Sequence, residues 1–284
     1  MDIQSTPWVG IDLEIAEKNI RQAVEHLGKY HVAHRPHIKV HKSLFFAKKQ
    51  QEMGCKGITC AKLGEAEVMA EGGISDILIA YPLIGKANLE RYKKLVQCHS
   101  EIRTIINSWE GAKGLSELGE SLGKRLPVLI ELDGGINRGG VKLGEPLEEF
   151  GKQIKTLAGI RVEGIEYYGG DIYGCKTGVE IKARAARERD EILEGGKILN
   201  KLGYDIRILS GGSSFSILFP EELEGLTEVR AGNYIFNDCA LLSIGMISEN
   251  SCAMEIRSMV VARPDSQTAI IDAGSKTLTS DRVN

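Results

Sequence analysis

The feature that most constrains the fold of this chain is a regular alternation of short apolar segments with longer amphipathic ones. Strands separated by helix-length segments pair in parallel through crossover helices, so this alternation predicts a parallel α/β fold. The eight strand candidates are Arg35–Val40, Gly57–Ala61, Ile77–Tyr81, Ile102–Ile106, Val128–Leu132, Val162–Tyr167, Ile206–Leu209 and Glu228–Arg230. The helix candidates between them include Ser43–Met53, Gly64–Glu71, Ala87–Val96, Pro146–Leu157 and Ile181–Leu202.

The number and spacing of these units favour a closed (β/α)8 TIM barrel. Barrels of this kind hold eight strand–helix units in about 250 residues, which is close to the stretch available here. A further helix is predicted before the first barrel strand, because Ala16, Ile20, Ala23, Val24 and Leu27 repeat with a helical period. An open doubly wound sheet is the alternative to a closed barrel.

The alternation stops near residue 237, and the pattern that follows is typical of an all-β domain. Met254–Ala262 and Thr268–Asp272 are predicted strands, and the four residues Arg263–Ser266 between them favour a turn. The early segment Trp8–Leu13 is a third candidate strand for the same domain. The predicted domains are a barrel at residues 14–237 and the start of an all-β C-terminal domain, expected to be incomplete, at residues 1–13 and 238–284.

Charge and cysteine usage exclude several classes of protein. The 36 basic and 39 acidic residues nearly balance and form no block of like charge, which argues against a nucleic-acid or membrane partner. No apolar run approaches the roughly 18 residues of a membrane span, and the N-terminus lacks the pattern of a secretion signal. The 6 cysteines include no C-x-x-C pair, so we predict a soluble protein of the reducing cytoplasm.

The sharpest chemical signal lies in the segment Arg35–Lys42, which reads RPHIKVHK. If this segment is a strand, His37, Lys39 and His41 share one of its faces. Burial and neighbouring positive charge lower the pKa of a lysine and make its amine a nucleophile towards aldehydes and ketones. An exposed strand with a solvated polar face is the alternative interpretation of the same row.

Two glycine-containing turns follow the last two barrel strands. They are Ser210–Ser214 and Arg230–Tyr234. In barrels a phosphate often binds at these two positions, where small residues let backbone N–H groups approach an anion. Together with Lys39 they describe a Schiff base to a phosphorylated carbonyl compound.

Two further residues are predicted at the carboxyl ends of strands. Arg138 follows the fifth strand within a glycine-rich turn, where its planar guanidinium could donate to a cofactor oxygen. Tyr168 follows the sixth strand and is the one of two adjacent tyrosines expected to face the site. A surface arginine and a core tyrosine are the alternative interpretations.

These segments resemble the alanine-racemase-like barrel enzymes of pyridoxal-phosphate fold type III, and most of all their D-threonine aldolase and D-serine dehydratase branch. The resemblance extends over nearly the whole chain in the family's order. The segments that carry it are Arg35–Lys42, Gly64–Glu67, Asp76–Pro82, Asp133–Gly140, Ser210–Ser214, Arg230–Tyr234 and Asp272–Lys276.

The resemblance implies a role for each candidate site residue. Lys39 would hold pyridoxal 5′-phosphate as a Schiff base and move the proton at the substrate Cα. Arg138 would contact the phenolic oxygen of the cofactor, and Tyr168 would lie beside its pyridine ring. The residues implied to hold the phosphate are Gly211, Gly212, Ser213, Gly232 and Asn233. The family is usually dimeric, which implies a homodimer.

The leading hypothesis is therefore a lyase that acts on D-β-hydroxy amino acids. The same branch of the family uses a divalent metal (Zn or Mn) held by a C-terminal segment beyond the part that this chain matches, so metal use is an open expectation. The sequence has Asp171 where many relatives carry a histidine, which leaves substrate specificity open.

Three alternatives remain. An amino-acid racemase needs a second base, normally a tyrosine of the β domain, and no tyrosine follows Tyr234 in this sequence. A non-catalytic protein of pyridoxal-phosphate homeostasis resembles the same barrel without a second domain. A cofactor-free Schiff-base aldolase for sugar phosphates would need the same lysine and the same phosphate turns.

Overall fold

The computed structural model describes residues 5–99 and 101–279 of the chain. It contains an eight-stranded parallel sheet whose order is β2-β9-β8-β7-β6-β5-β4-β3. A parallel bridge between His37 and Thr59 joins the two ends of this order, so the predicted barrel is confirmed. The barrel strands are β2 (Ala33–His34), β3 (Ile58–Cys60), β4 (Ile77–Pro82), β5 (Ile102–Ile106), β6 (Leu126–Leu132), β7 (Ile160–Tyr167), β8 (Ile208–Gly211) and β9 (Glu228–Val229).

A helix follows each of the first six barrel strands, as the alternation predicts. The α-helices of the described residues are α1 (Leu13–Gly28), α2 (Leu44–Glu52), α3 (Leu63–Glu71), α4 (Lys86–Cys98), α5 (Trp109–Ser121), α6 (Glu145–Ile154), α7 (Gly178–Lys201) and α8 (Cys239–Ser243). Side chains of successive strands pack together in the core, and Leu78, Ile105, Leu129 and Ile208 form one buried cluster. Burial of such aliphatic groups is the main favourable term in folding.

A buried ion-pair network ties three strands of the barrel together. Arg35, directly after β2, donates to Glu228 of β9 at 2.8 Å and to both oxygens of Asp76, which precedes β4, at 2.8 and 3.0 Å. The side chains of Arg35 and Glu228 are each only 1% exposed. Because each buried charge has a partner, the cost of their desolvation is offset.

The first predicted strand, Arg35–Val40, is wrong in its bounds. The strand ends at His34, and Ile38–Val40 form a turn of 3-10 helix. The turn closes because the Ile38 carbonyl accepts hydrogen bonds from the N–H groups of His41 at 3.2 Å and Lys42 at 2.7 Å. Strand alternation therefore does not orient Lys39, which lies on a turn at the carboxyl end of β2.

The chain separates into two compact units, one formed by Gln22–Gly232 and the other joining the chain up to Arg21 with the chain from Asn233. In the second unit the predicted early strand pairs antiparallel, as β1 (Trp8–Ile11), with β10 (Met254–Arg257). A second antiparallel pair joins β11 (Val260–Ala262) to β12 (Ile270–Ile271). Residues 1–4 and 280–284, which the predicted β domain includes, lie outside the described residues.

The predicted strand Met254–Ala262 is in fact two strands, β10 and β11. The break lies at Ser258 and Met259, where the Asp272 carboxylate accepts from the Ser258 hydroxyl at 2.7 Å and the Met259 N–H at 2.9 Å. Because the Asp272 carboxylate takes the Met259 N–H, this N–H does not donate to the backbone of a neighbouring strand, and β10 does not continue into β11.

Candidate active site

Three of the predicted site residues converge at the carboxyl ends of the barrel strands. The Lys39 Nζ lies 5.6 Å from the centre of the Tyr168 ring, and the Arg138 guanidinium carbon lies 4.3 Å from the same centre. Lys39 comes from the turn after β2, Arg138 from the loop after β6, and Tyr168 from the end of β7. An amine, a guanidinium and an aromatic face therefore meet at the end of the barrel where barrel enzymes carry their active sites.

Strand alternation separates the two adjacent tyrosines. Tyr167 is buried, and its hydroxyl donates to Glu191 of α7 at 2.6 Å. Tyr168, the next residue, lies on the side of Lys39 and Arg138. This is the orientation expected from the sequence, and the contact of Tyr168 with a cofactor ring stays a prediction.

The loop that carries Arg138 is folded by its own polar groups. The Asp133 carboxylate accepts hydrogen bonds from the N–H groups of Gly135 at 3.0 Å and Asn137 at 3.3 Å. Gly140 has a φ of +98°, and a Cβ there would lie 2.4 Å from the backbone nitrogen of Asp133. Only glycine fits at this position, and the tight turn returns the chain towards α6.

Burial and neighbouring charges lower the pKa of the Lys39 amine. The loss of surrounding water lowers the pKa of Lys39, and the positive charges of Arg138 and Arg230 lower it further, against smaller opposing effects of Glu166 and Glu65. The pKa of His37 is also lowered, by burial first and then by Lys39 and Arg230, so its imidazole stays neutral. A neutral amine is the nucleophilic form of lysine.

Arg230 has no role of its own in the sequence-based prediction, yet it is fixed in the middle of the site. It donates to the Ser210 hydroxyl at 2.7 Å, to Glu166 at 2.5 Å and to the Tyr167 carbonyl at 2.6 Å. The sequence does show a positive charge at this point, because Arg230 begins the glycine-containing turn after the eighth predicted strand. Its surroundings could not be read from the sequence, because the three acceptors come from two other strands.

Two acidic residues lie side by side on the neighbouring strands β6 and β7. Glu131 of β6 and Glu166 of β7 are register partners, and Asn107 donates to Glu131 at 2.7 Å. Burial raises the pKa of Glu131, and the neighbouring Glu166 raises it further. The second carboxylate oxygen of Glu166 is buried and accepts no hydrogen bond from the described residues. Such an orphaned acceptor marks a place where a bound group or water can donate.

The turn after β8 is shaped by glycine and by internal hydrogen bonds. Gly211 ends β8, and Gly212 has a φ of +76° with a would-be Cβ only 2.4 Å from the Val229 side chain. The Gly212 N–H donates to Glu188 of α7 at 2.7 Å, and the Ser213 N–H donates to the Ser216 hydroxyl at 2.7 Å. Both of these N–H groups are bonded within the protein, so their predicted use by a phosphate stays untested.

The turn after β9 lies against the turn that carries Lys39. Gly232 is buried, and a Cβ there would lie 2.7 Å from the His37 carbonyl oxygen. Asn233 opens the other compact unit, where its side-chain amide donates to Asp238. The Lys39 amine and the guanidinium groups of Arg138 and Arg230 supply the nucleophile and the positive charge that a phosphorylated aldehyde requires.

Asp171, the residue after the short glycine pair that follows Tyr168, is held by a salt bridge. Its carboxylate lies 2.6 Å from the Arg184 guanidinium of α7. Nearby, the ring of Tyr173 packs edge-on against Phe215 at 4.9 Å and lies 6.4 Å from Tyr168. An aromatic group thus flanks the predicted cofactor site on the side of β8.

The described residues contain neither a cluster of metal ligands nor a membrane-spanning helix. Within residues 5–99 and 101–279, no group of three or more His, Cys, Asp or Glu side chains is arranged to hold a metal ion. Within the same residues, no helix combines the length and the apolar character that crossing a bilayer requires.

Comparison with known proteins places the chain in a family. The model of the alanine racemase N-terminal domain matches residues 11–239. D-threo-3-hydroxyaspartate dehydratase of Delftia sp. (strain HT23) is 30% identical over 98% of this chain and 73% of its own length. D-threonine aldolase of Arthrobacter sp. is 28% identical over 97% of this chain and 73% of its own length.

A solved structure agrees with these relatives. The crystal structure of D-threonine aldolase from Filomicrobium marinum superposes with a TM-score of 0.88 at 29% identity, covering 97% of this chain and 75% of that one. The chain belongs to the alanine racemase N-terminal domain family, the barrel enzymes of pyridoxal-phosphate fold type III.

Proposed function

We propose that this chain is a pyridoxal-phosphate-dependent lyase that acts on D-β-hydroxy amino acids. The bond broken would be Cα–Cβ in an aldol cleavage, or Cα–H followed by loss of the β-hydroxyl in a dehydration. The observation that carries the proposal is the convergence of Lys39, Arg138 and Tyr168 at the carboxyl ends of the strands. The names of the relatives, a D-threo-3-hydroxyaspartate dehydratase and a D-threonine aldolase, support this substrate class.

Lys39 is the residue proposed to hold the cofactor and to move a proton. Pyridoxal phosphate, when bound, supplies an electron sink that stabilises negative charge at the substrate Cα. The lowered pKa of Lys39 increases the fraction of its amine that is neutral, the form that attacks an aldehyde carbon. The same amine would serve as the base that accepts or returns the proton at the substrate Cα.

Arg138 and Tyr168 are proposed to orient the cofactor. The guanidinium of Arg138 lies over the Tyr168 ring, which restricts the direction in which its N–H groups can donate. Tyr168 offers its aromatic ring as a packing surface for a flat ligand. Arg230 is held by hydrogen bonds to Ser210 and Glu166, which keep its positive charge close to Lys39.

Several finer assignments belong to the same proposal. The phosphate would be held by the turns after β8 and β9, at Gly211, Gly212, Ser213, Gly232 and Asn233. A divalent metal, Zn²⁺ or Mn²⁺, would contact the substrate hydroxyl in an aldolase or dehydratase of this type. We also propose a homodimer and a cytoplasmic location.

The test combines cofactor binding with product analysis. Purified protein loaded with pyridoxal phosphate should absorb at about 420 nm, where the protonated Schiff base of this cofactor absorbs. Lys39→Ala should abolish the band, whereas Lys48→Ala, which changes an exposed lysine on α2, should leave it unchanged. A band that survives in Lys39→Ala would remove Lys39 from the site.

Substrate assays then separate the activities. With D-threonine, glycine and acetaldehyde identify an aldolase; with D-serine or D-threo-3-hydroxyaspartate, a 2-oxo acid and ammonia identify a dehydratase. Each assay is run with and without added Zn²⁺ or Mn²⁺, and the L-enantiomers are the controls. Conversion between enantiomers without cleavage would identify a racemase and contradict the proposal. Absence of any product from the loaded protein would favour a non-catalytic cofactor-binding protein.

A further inference from the structure

Glu188 occupies a position in α7 that the pattern of the helix reserves for apolar residues. The row of α7 that packs on the barrel is buried along its length, and Glu188 lies within it with only 4% of its surface exposed. A carboxylate in such a row is costly unless it serves a purpose or is neutralised. The other members of the row are Ile181, Ala185, Ile192, Gly195 and Leu199.

The Glu188 carboxylate contacts the turn that is predicted to bind the cofactor phosphate. One oxygen accepts the Gly212 N–H at 2.7 Å, and a Cβ built on Gly211 would lie 3.0 Å from the same oxygen. The other oxygen lies 3.4 Å from a Cβ built on Gly169, the residue after Tyr168. Glu188 therefore packs between the turn after β8 and the turn after β7.

The left-handed conformation of Gly212 directs its N–H towards α7. Its φ of +76° is a conformation that only glycine adopts readily, so the turn needs an external contact to fix it. Glu188 supplies that contact through a buried hydrogen bond. Without the acceptor, the buried N–H would be left unsatisfied and the turn would lose its anchor.

The charges around Glu188 act in both directions. The hydrogen bond from the Gly212 N–H and then the charge of Arg230, directly after β9, favour the charged carboxylate. Glu166 of β7 and Asp171 of the following turn favour the neutral acid. The Tyr167 hydroxyl also faces this region, and Glu188 contributes to its raised pKa. Burial is the largest influence and raises the pKa of Glu188 to about 7.

We propose that Glu188 is a positioning residue for the cofactor phosphate, which fixes the Gly211–Gly212 turn and takes up a proton when the phosphate binds. This inference rests on the proposed binding of pyridoxal phosphate at these turns. A charged carboxylate and a phosphate dianion on the same turn repel each other in a buried environment. The protonated acid removes the repulsion, and its carbonyl oxygen still accepts the Gly212 N–H.

The experiment measures proton uptake on binding. The probe is pyridoxine 5′-phosphate, which carries the phosphate but no aldehyde and therefore cannot bond covalently to Lys39. Calorimetric titration in two buffers of different ionisation enthalpy, just above pH 7, gives the number of protons taken up per molecule bound. The variant is Glu188→Gln, which keeps the acceptor oxygen and cannot titrate. The control is Glu194→Gln, an exposed carboxylate on the same helix that pairs only loosely with Lys197 at 3.6 Å.

We expect the wild-type chain and Glu194→Gln to take up more protons than Glu188→Gln. Their affinity should also fall as the pH rises above about 7, by up to about tenfold per pH unit, while the affinity of Glu188→Gln falls less steeply. Glu188→Ala, which removes the acceptor as well as the titrating group, should bind about tenfold more weakly than Glu188→Gln at every pH. Equal proton uptake in the wild-type chain and Glu188→Gln would overturn the inference.

Failure of the inference can be told apart from failure of the proposed function. If the wild-type chain binds the probe and forms the Lys39 band with pyridoxal phosphate, equal proton uptake in Glu188→Gln removes only the role of Glu188. If the wild-type chain binds neither compound, both proposals fall. A merely structural role for Glu188 would change the thermal midpoint of Glu188→Gln without changing proton uptake, and that outcome also counts against the inference.

Discussion

The guanidinium carbon of Arg138 lies 4.3 Å from the centre of the Tyr168 ring, although the two residues come from loops after different strands. The stacking couples the loop after β6 to the end of β7 directly beside the Lys39 amine. Both side chains are therefore held in place by each other before any ligand binds. Pre-organisation of this kind lowers the entropic cost of binding a cofactor.

The stacking predicts a difference between two variants of Tyr168. Tyr168→Phe keeps the aromatic ring under Arg138, so its affinity for pyridoxal phosphate should stay within about twofold of the wild type. Tyr168→Ala loses the stacking and should weaken binding by about 1 kcal/mol, or roughly fivefold. Fluorescence titration with the cofactor measures both. Equal losses in the two variants would show that the hydroxyl, and not the ring, matters.

The charge of Arg138 predicts a pH effect on Lys39. Arg138 is one of the cations that lower the pKa of Lys39, so Arg138→Met, which removes the charge, should raise that pKa. Since only the neutral amine attacks an aldehyde, the pH at which cofactor attachment reaches half its maximal rate should move upwards. Stopped-flow absorbance at a series of pH values measures this midpoint. Arg207→Met, which removes an exposed charge, is the control and should not shift it. A midpoint that stays in place or moves down in Arg138→Met would contradict the electrostatic argument.

The turn after β8 predicts a large cost for a side chain at Gly212. Gly212→Ala must accept both a left-handed conformation and a Cβ 2.4 Å from Val229, so it should lower the free energy of unfolding by about 3 kcal/mol. Gly123 has a φ of +62° with no atom within 4 Å of its would-be Cβ. Gly123→Ala should therefore cost only about 1 kcal/mol. Urea denaturation compares the two, and similar losses would show that the contact with Val229 relaxes freely.

The buried ion pairs of Arg35 predict that this residue stabilises the folded barrel. Arg35→Ala leaves the buried Glu228 without a cation, whereas Asp76 keeps Arg103 at 2.7 Å, so it should lower the free energy of unfolding by about 3–5 kcal/mol. Arg207→Ala is the matched control, because its partnership with Asp205 is exposed to solvent and screened. Urea denaturation of both variants at neutral pH is the measurement. A small loss in Arg35→Ala, comparable to that of the control, would mean that water replaces the guanidinium.

The sequence determined the architecture because periodicity is a local property. Alternating strand and helix segments predicted the eight parallel strands, and chain direction alone placed Arg138 and Tyr168 at their carboxyl ends. It also separated Tyr167 from Tyr168, since neighbouring residues at the end of a strand face opposite ways. The bounds of the first barrel strand were predicted wrongly, because Ile38–Val40 form a 3-10 turn and not the end of a strand.

Only the tertiary structure decided which groups surround the amine. Arg230 and Glu188 lie far from Lys39 in the sequence, and their partners Glu166 and Gly212 belong to other elements. A hydrogen bond between distant residues depends on how closely α7 and the strands pack, which no local pattern encodes. Sequence periodicity thus fixed which end of the barrel carries the site, while side-chain packing fixed the charge and the shape of that site.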